Sequence, residues 1–257
     1  MQVCLERTPE ELEQYLQREA IESQLLPLSE YCYYTQGQNL DQHYQKCQLL
    51  LQYHADPNQL CPSGRTALIN LSFFPNRLSV SLCQLLLSHG AKINSPSRHG
   101  ETALFHACRS YNLDGVALCL KLLQEGANPN LCLPLNEAIC FQSPYRHLIC
   151  QHLLDFGANP NLKDDKGDTP LHHTDYQVKN CPGDLQELLL NYGADPTILD
   201  HNGEQPLRFS HILEDRRQRH DGLKQLFLEE HEKETSCFHR LDHFLIEHLT
   251  DMIYRLP

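Results

Sequence analysis

The sequence predicts an all-α fold, a solenoid of about six helix-turn-helix units with projecting finger turns, capped by N- and C-terminal helices. Three observations predict it. A short motif returns at a fixed interval, as Tyr53-His-Ala-Asp-Pro-Asn58, His89-Gly-Ala-Lys-Ile-Asn94, Glu125-Gly-Ala-Asn-Pro-Asn130, Phe156-Gly-Ala-Asn-Pro-Asn161 and Tyr192-Gly-Ala-Asp-Pro-Thr197. A second motif follows each copy, as Arg65-Thr-Ala-Leu68, Glu101-Thr-Ala-Leu104, a shortened Leu133-Pro-Leu135, Asp168-Thr-Pro-Leu-His172 and Glu204-Gln-Pro-Leu207. Cys47, Cys83, Cys119 and Cys150 keep the same phase, 36, 36 and 31 residues apart. Two motifs and a cysteine register locked to one period mark a repeat architecture.

The elements follow in chain order. Thr8-Pro-Glu-Glu11 offers a cap, a proline at the first helical position and a glutamate at the third, so a leading helix carries Leu12, Tyr15 and Leu16 inward. The first unit is degenerate, with Leu25-Leu-Pro-Leu28 as candidate inner helix and His54 in place of the capping glycine. In later units Thr66, Thr102 and Thr169 stand where an N-cap is needed, and Pro170 takes the position where its missing N–H costs nothing. Apolar runs such as Val80-Ser-Leu-Cys-Gln-Leu-Leu-Leu87 and Val116-Ala-Leu-Cys-Leu-Lys-Leu-Leu123 form outer helices ending at Gly90, Gly126, Gly157 or Gly193. Polar segments with Gly64, Gly100, Gly167 and Gly203 turn the fingers. Enlarged interhelical loops are expected at Phe74-Pro-Asn-Arg77 and Gln177-Val-Lys-Asn-Cys-Pro-Gly-Asp184, and a stunted third finger between Asn130 and Pro134. Phe238, Leu241, Leu245, Leu249 and Met252, widened by Phe244 and Ile253, predict a terminal helix that covers the end of the stack or docks on a partner. The division is 1–26 as N-terminal cap, 27–231 as repeats and 232–257 as C-terminal amphipathic helix.

The paired motifs, above all Thr169-Pro-Leu-His172, resemble the ankyrin repeat, and the resemblance spans about residues 27 to 231. It implies an ankyrin-repeat solenoid whose concave surface of fingers and inner helices binds another protein, with no cofactor. It also implies that finger tips and inner-helix ends make the contacts. That places Phe73, Phe74, Arg109, Phe141 and Tyr176 at helix ends, and Arg65, Arg98, His99 and Lys166 on fingers, as candidate partner-binding residues. Aromatics and arginine dominate binding energy when they fill pockets, and cations on an acidic protein suit an acidic or amphipathic partner segment. Ankyrin proteins that intracellular bacteria of the Legionella and Coxiella type deliver into host cells are similar in their Gln-, His-, Cys- and Leu-rich repeats.

Composition narrows the partner classes. Lys and Arg total 21 against 33 Asp and Glu, a net charge of −12, which argues against nucleic acid and against anionic membrane surfaces. No apolar run approaches a membrane span, and Met1-Gln-Val-Cys-Leu-Glu-Arg7 lacks the order of a secretory signal, so a cytoplasmic monomer is expected. A delivered effector would act in the host cytosol. The chain has 12 cysteines but no Cys-x-x-Cys pair, and the four in register are expected to be reduced core residues. Cys140 with His172 or His173 and Asp175 has the residue types of a thiol nucleophile, at a spacing that matches no protease pattern. His239, His243 and Glu247 share one helical face and suit either a divalent metal or a solvated surface; no metal is expected. Arg216-Arg-Gln-Arg-His220 suits a polar face or a nuclear localisation signal. The leading function is a non-catalytic scaffold or adaptor. The alternatives are a substrate-recognition subunit of a ubiquitin ligase, which needs an F-box or SOCS-box segment not recognised in 1–26 or 232–257, and a cysteine-dependent enzyme, for which those end segments leave no second domain.

Overall fold

The computed structural model describes residues 7–19, 28–33, 40–176 and 184–206, and among them eleven α-helices and no strand. They are α1 Pro9–Glu19, α2 Leu28–Tyr31, α3 Leu40–Gln52, α4 Ala67–Leu71, α5 Ser79–Ser88, α6 Ala103–Ala107, α7 Leu113–Gln124, α8 Pro134–Cys140, α9 Arg146–Asp155, α10 Pro170–Tyr176 and α11 Asp184–Asn191. After α1 the helices alternate between short inner and longer outer members, giving five pairs. The sixth unit's helices, the loop at 177–183, the Arg216–His220 cluster, the 238–253 helix and the His239, His243 and Glu247 column lie outside the described residues.

Local chemistry sets the helix ends. At α1, Thr8 Oγ1 accepts from Glu11 N–H at 3.3 Å while Glu11 Oε2 accepts from Thr8 N–H at 2.9 Å, a closed capping box. Thr66 and Thr102 cap α4 and α6 through Ile69 and Phe105 N–H. Gly126 has φ +90°, where an L side chain is strained, and His54 adopts the same hand at φ 63°. In the shortened third finger the chain reverses through two consecutive left-handed residues, Cys132 (φ 63°) and Leu133 (φ 56°). Of the candidate inner helix of the first unit, Leu28 opens α2, Leu28–Tyr31, while Leu25, Leu26 and Pro27 lie outside the described residues.

Leu82, Leu86, Leu104, Leu118 and Leu122 fill the interior between layers, and Cys47, Cys83, Cys119 and Cys150 are all 0% exposed on successive outer helices. A small side chain at that position lets neighbouring pairs approach closely. The fingers are tied by an asparagine ladder. Asn58, Asn94, Asn130 and Asn161 each donate Nδ2–H to a carbonyl of the next unit, at Gly90, Gly126, Gly157 and Gly193. Each Oδ1 accepts from a backbone N–H two residues later, at Lys92, Asn128, Asn159 and Asp195. No described helix is long and apolar enough to cross a membrane.

Candidate functional site

The loops that follow α4, α6 and α8 meet in an open cleft of about 370 Å³ lined by Phe73, Phe74, Pro75, His106, Arg109, Ser110, Tyr111, Asn112 and Phe141. Polar side chains stitch these loops to one another. Asn112 caps α7 by accepting from Gly115 N–H at 2.8 Å, and its Nδ2 donates to Pro75 O in the preceding loop at 2.9 Å. Ser143 Oγ donates to Ser110 O from the following loop. The period therefore brings three loops into one surface, and the hydrogen bonds hold its shape.

Aromatic rings and cations alternate across it. The Phe73 ring stacks on His106 with centroids 4.1 Å apart, and the Arg65 guanidinium lies over Phe73 at 4.4 Å and over Tyr33 at 5.2 Å. Tyr33 meets Phe74 edge to face at 5.6 Å. On the other wall Arg109 lies 5.2 Å over the Phe141 ring and pairs with Glu137 at 3.2 Å, while Tyr111 packs against Phe141 at 4.8 Å. Phe74 is 43% and Tyr111 62% exposed, so apolar ring surface faces solvent beside arginine. Burial lowers the His106 pKa, Glu101 at 3.2 Å pulls it back up, and Arg109 and Arg65 push it down again; the net effect favours the neutral ring. Burial raises the Glu137 carboxyl, against the pull of Arg109.

Four of the sequence-expected residues, Phe73, Phe74, Arg109 and Phe141, stand together here, and a fifth, Arg65, lies against the Phe73 ring. Arg98, His99 and Lys166 stand on finger turns instead. The Arg98 stem packs over Gly64 and its Nη1 lies within 3.5 Å of Pro62 O, so this side chain clamps adjacent fingers. His99 and Lys166 are exposed; the Lys166 backbone N–H donates to Asp164. Tyr176 ends α10, and its side chain lies outside the described residues. Sequence reasoning passed over Tyr33, His106 and Tyr111. Tyr111 sits two places beyond Arg109, at the same helix end, which was its available signal.

Of the residues of the thiol-nucleophile set, Asp175 has its side chain outside the described residues. Burial pushes Cys140 up to about 11, with Glu137, Asp164 and Asp168 adding to the rise, the reverse of what a thiolate needs. His172 engages Thr169 through Nδ1 at 2.8 Å and Glu204 O through Nε2 at 3.2 Å, and His173 Nε2 meets Asp164 at 3.0 Å.

A family model for ankyrin repeats, in three copies, matches residues 38–133. Among solved structures the chain is similar to the ankyrin repeat domain of Bcl-3, described as a unique member of the IkappaB protein family. The two share 22% identity over 80% of this chain and 90% of that one, with a TM-score of 0.61, a likeness that speaks for the fold. No curated protein matches the chain.

Proposed function

We propose that this chain, an ankyrin-repeat protein by its family match and its fold, is a non-catalytic scaffold or adaptor that holds an acidic or amphipathic segment of a partner protein in the cleft between its inner-helix ends. Ankyrin repeats are a protein-interaction fold, and an open stack of helix pairs offers surface rather than an enclosed pocket. The observation that carries the reading is the cleft itself, where exposed Phe74 and Tyr111 flank Arg109 and Phe141. Such rings supply apolar contact to one face of a segment, and Arg65 and Arg109 supply donors to its carboxylates. A cytoplasmic location accords with nine free cysteines among the described residues, several of them core.

The test is selection of peptides from a random displayed library on the folded protein, followed by titration against a variant carrying Phe74→Ser, Arg109→Glu and Tyr111→Ser. The selected peptides should combine acidic with aromatic or aliphatic residues and bind the variant about 100-fold more weakly, the effect of losing roughly 3 kcal/mol at a hot spot. Equal binding to parent and variant, with circular dichroism showing both folded, would refute the assignment.

A further inference from the structure

The geometry points to a divalent-cation site formed by Asp164, Asp168 and His173 at the base of the fourth finger. One carboxylate oxygen from each aspartate and one imidazole nitrogen all lie within 4.8 Å of one another. The three come from a framework fixed by other bonds. Asp164 Oδ1 accepts from the backbone N–H groups of Lys166 and Asp168, and Asp164 N–H donates to Asp168 O, which closes the finger turn and sets both carboxylates on one side. Pro170 starts α10 immediately after the turn, and His173, three residues on, faces back to Asp164 Oδ2 at 3.0 Å.

A second and independent observation singles out Asp168. Its side chain is 3% exposed, and its Oδ1 is buried with no hydrogen-bond partner among the described residues. A buried carboxylate oxygen without a donor carries a desolvation cost that no described residue offsets. The surroundings add negative charge. Glu137 interacts electrostatically with His173, and Asp164 and Asp168 both act on the Cys140 thiol. A cation held among these carboxylates would offset the desolvation of Asp168 and the mutual repulsion together.

The donor set selects the ion. Two carboxylate oxygens and one imidazole nitrogen suit Mn²⁺ or Zn²⁺, and leave open positions for water. Ligands at about 2.1 Å on a tetrahedron stand roughly 3.4 Å apart, so small side-chain rotations close the present spread. On binding, a cation shared between His173 Nε2 and Asp164 replaces the hydrogen bond between them, and the neutral imidazole carries its proton on Nδ1.

Mn²⁺ is the probe of choice, because a hard ion avoids the cysteines elsewhere in the chain. The reduced full chain is titrated with Mn²⁺ and the free ion is counted by electron paramagnetic resonance, for the parent and for Asp168→Asn and His173→Gln. The expected result is one Mn²⁺ per chain in the parent, with affinity about tenfold or more weaker in each variant at unchanged circular dichroism. Should Asp168→Asn fail to fold, His173→Gln decides alone. No bound Mn²⁺ in the parent up to about 1 mM, or binding that neither variant alters, overturns the site.

Discussion

Replacing Asn94 by alanine removes one rung of the ladder between fingers. The rung consists of two hydrogen bonds, Asn94 Nδ2 to Gly126 O at 3.3 Å and Asn128 N–H to Asn94 Oδ1 at 2.8 Å. Asn94 is exposed, so water can replace both contacts, and each bond contributes toward the lower part of the usual net range of about 0.5–1.5 kcal/mol. The loss is then about 1–2 kcal/mol, or roughly 2–4 °C in Tm for a chain of this size. Differential scanning calorimetry on Asn94→Ala, Asn130→Ala and Asn94→Asp measures it. The aspartate keeps the acceptor for Asn128 N–H, loses the donor and turns a carboxylate oxygen toward Gly126 O. It should therefore lose no less than half of what alanine loses. Parent-like melting of both alanine variants would refute the idea that these asparagines couple neighbouring units.

Gly126→Val should destabilise by about 1–2 kcal/mol through backbone strain alone, since φ is +90° and nothing lies within 4 Å of an added Cβ; thermal unfolding checks it. Gly115→Ala has the opposite cause, overlap of the new Cβ with the buried Ser110 side chain, and a loss of about 1–3 kcal/mol is expected in the same assay. Cys47, Cys83, Cys119 and Cys150 should be reduced and resist thiol reagents until the chain unfolds, because all are fully buried and burial pushes Cys83 up to about 12; a disulfide joining any two in non-reducing mass mapping would contradict this. Burial, with Lys46 adding to it, lowers His43 to about 4 from 6.5, so the unfolded chain binds the proton first as pH falls. The His43 contribution is full above pH 6.5 and is lost progressively down to about pH 4, on the order of 3 kcal/mol. Urea titrations of the parent against His43→Gln should converge across that window, and a constant difference would be the contrary result.

The period, the threonine caps and the capping glycines were legible in the sequence because each is a local backbone requirement written by residue type. Thr66 can be recognised as an N-cap from its neighbours alone, and Gly126 as a left-handed stop from the run before it. Asn94 was visible as a motif position, but its bonds to Gly126 and Asn128 exist only once two units are stacked. The same distinction runs through the cleft. Phe73, Phe74, Arg109 and Phe141 share a repeat phase and were found by it. His106 was not, since an inner-helix histidine becomes part of the surface only through the Phe73 ring stacked on it from the preceding unit. Arg98 and Lys166 looked alike as finger cations, yet the first lies over Gly64 and is held by structure. Asp168 reads as a solvated turn residue until the fold buries it.

Hydrogen exchange mapped by mass spectrometry, with and without a saturating peptide from the displayed library, tests the interaction surface most directly. The account predicts slowed exchange in the segments 72–75, 106–112 and 141–143, which carry the rings, arginine and loop stitches of the cleft, and little change on outer helices α5, α7 and α9. Protection confined to the outer helices or to the finger turns around Gly100 and Gly167 would contradict it.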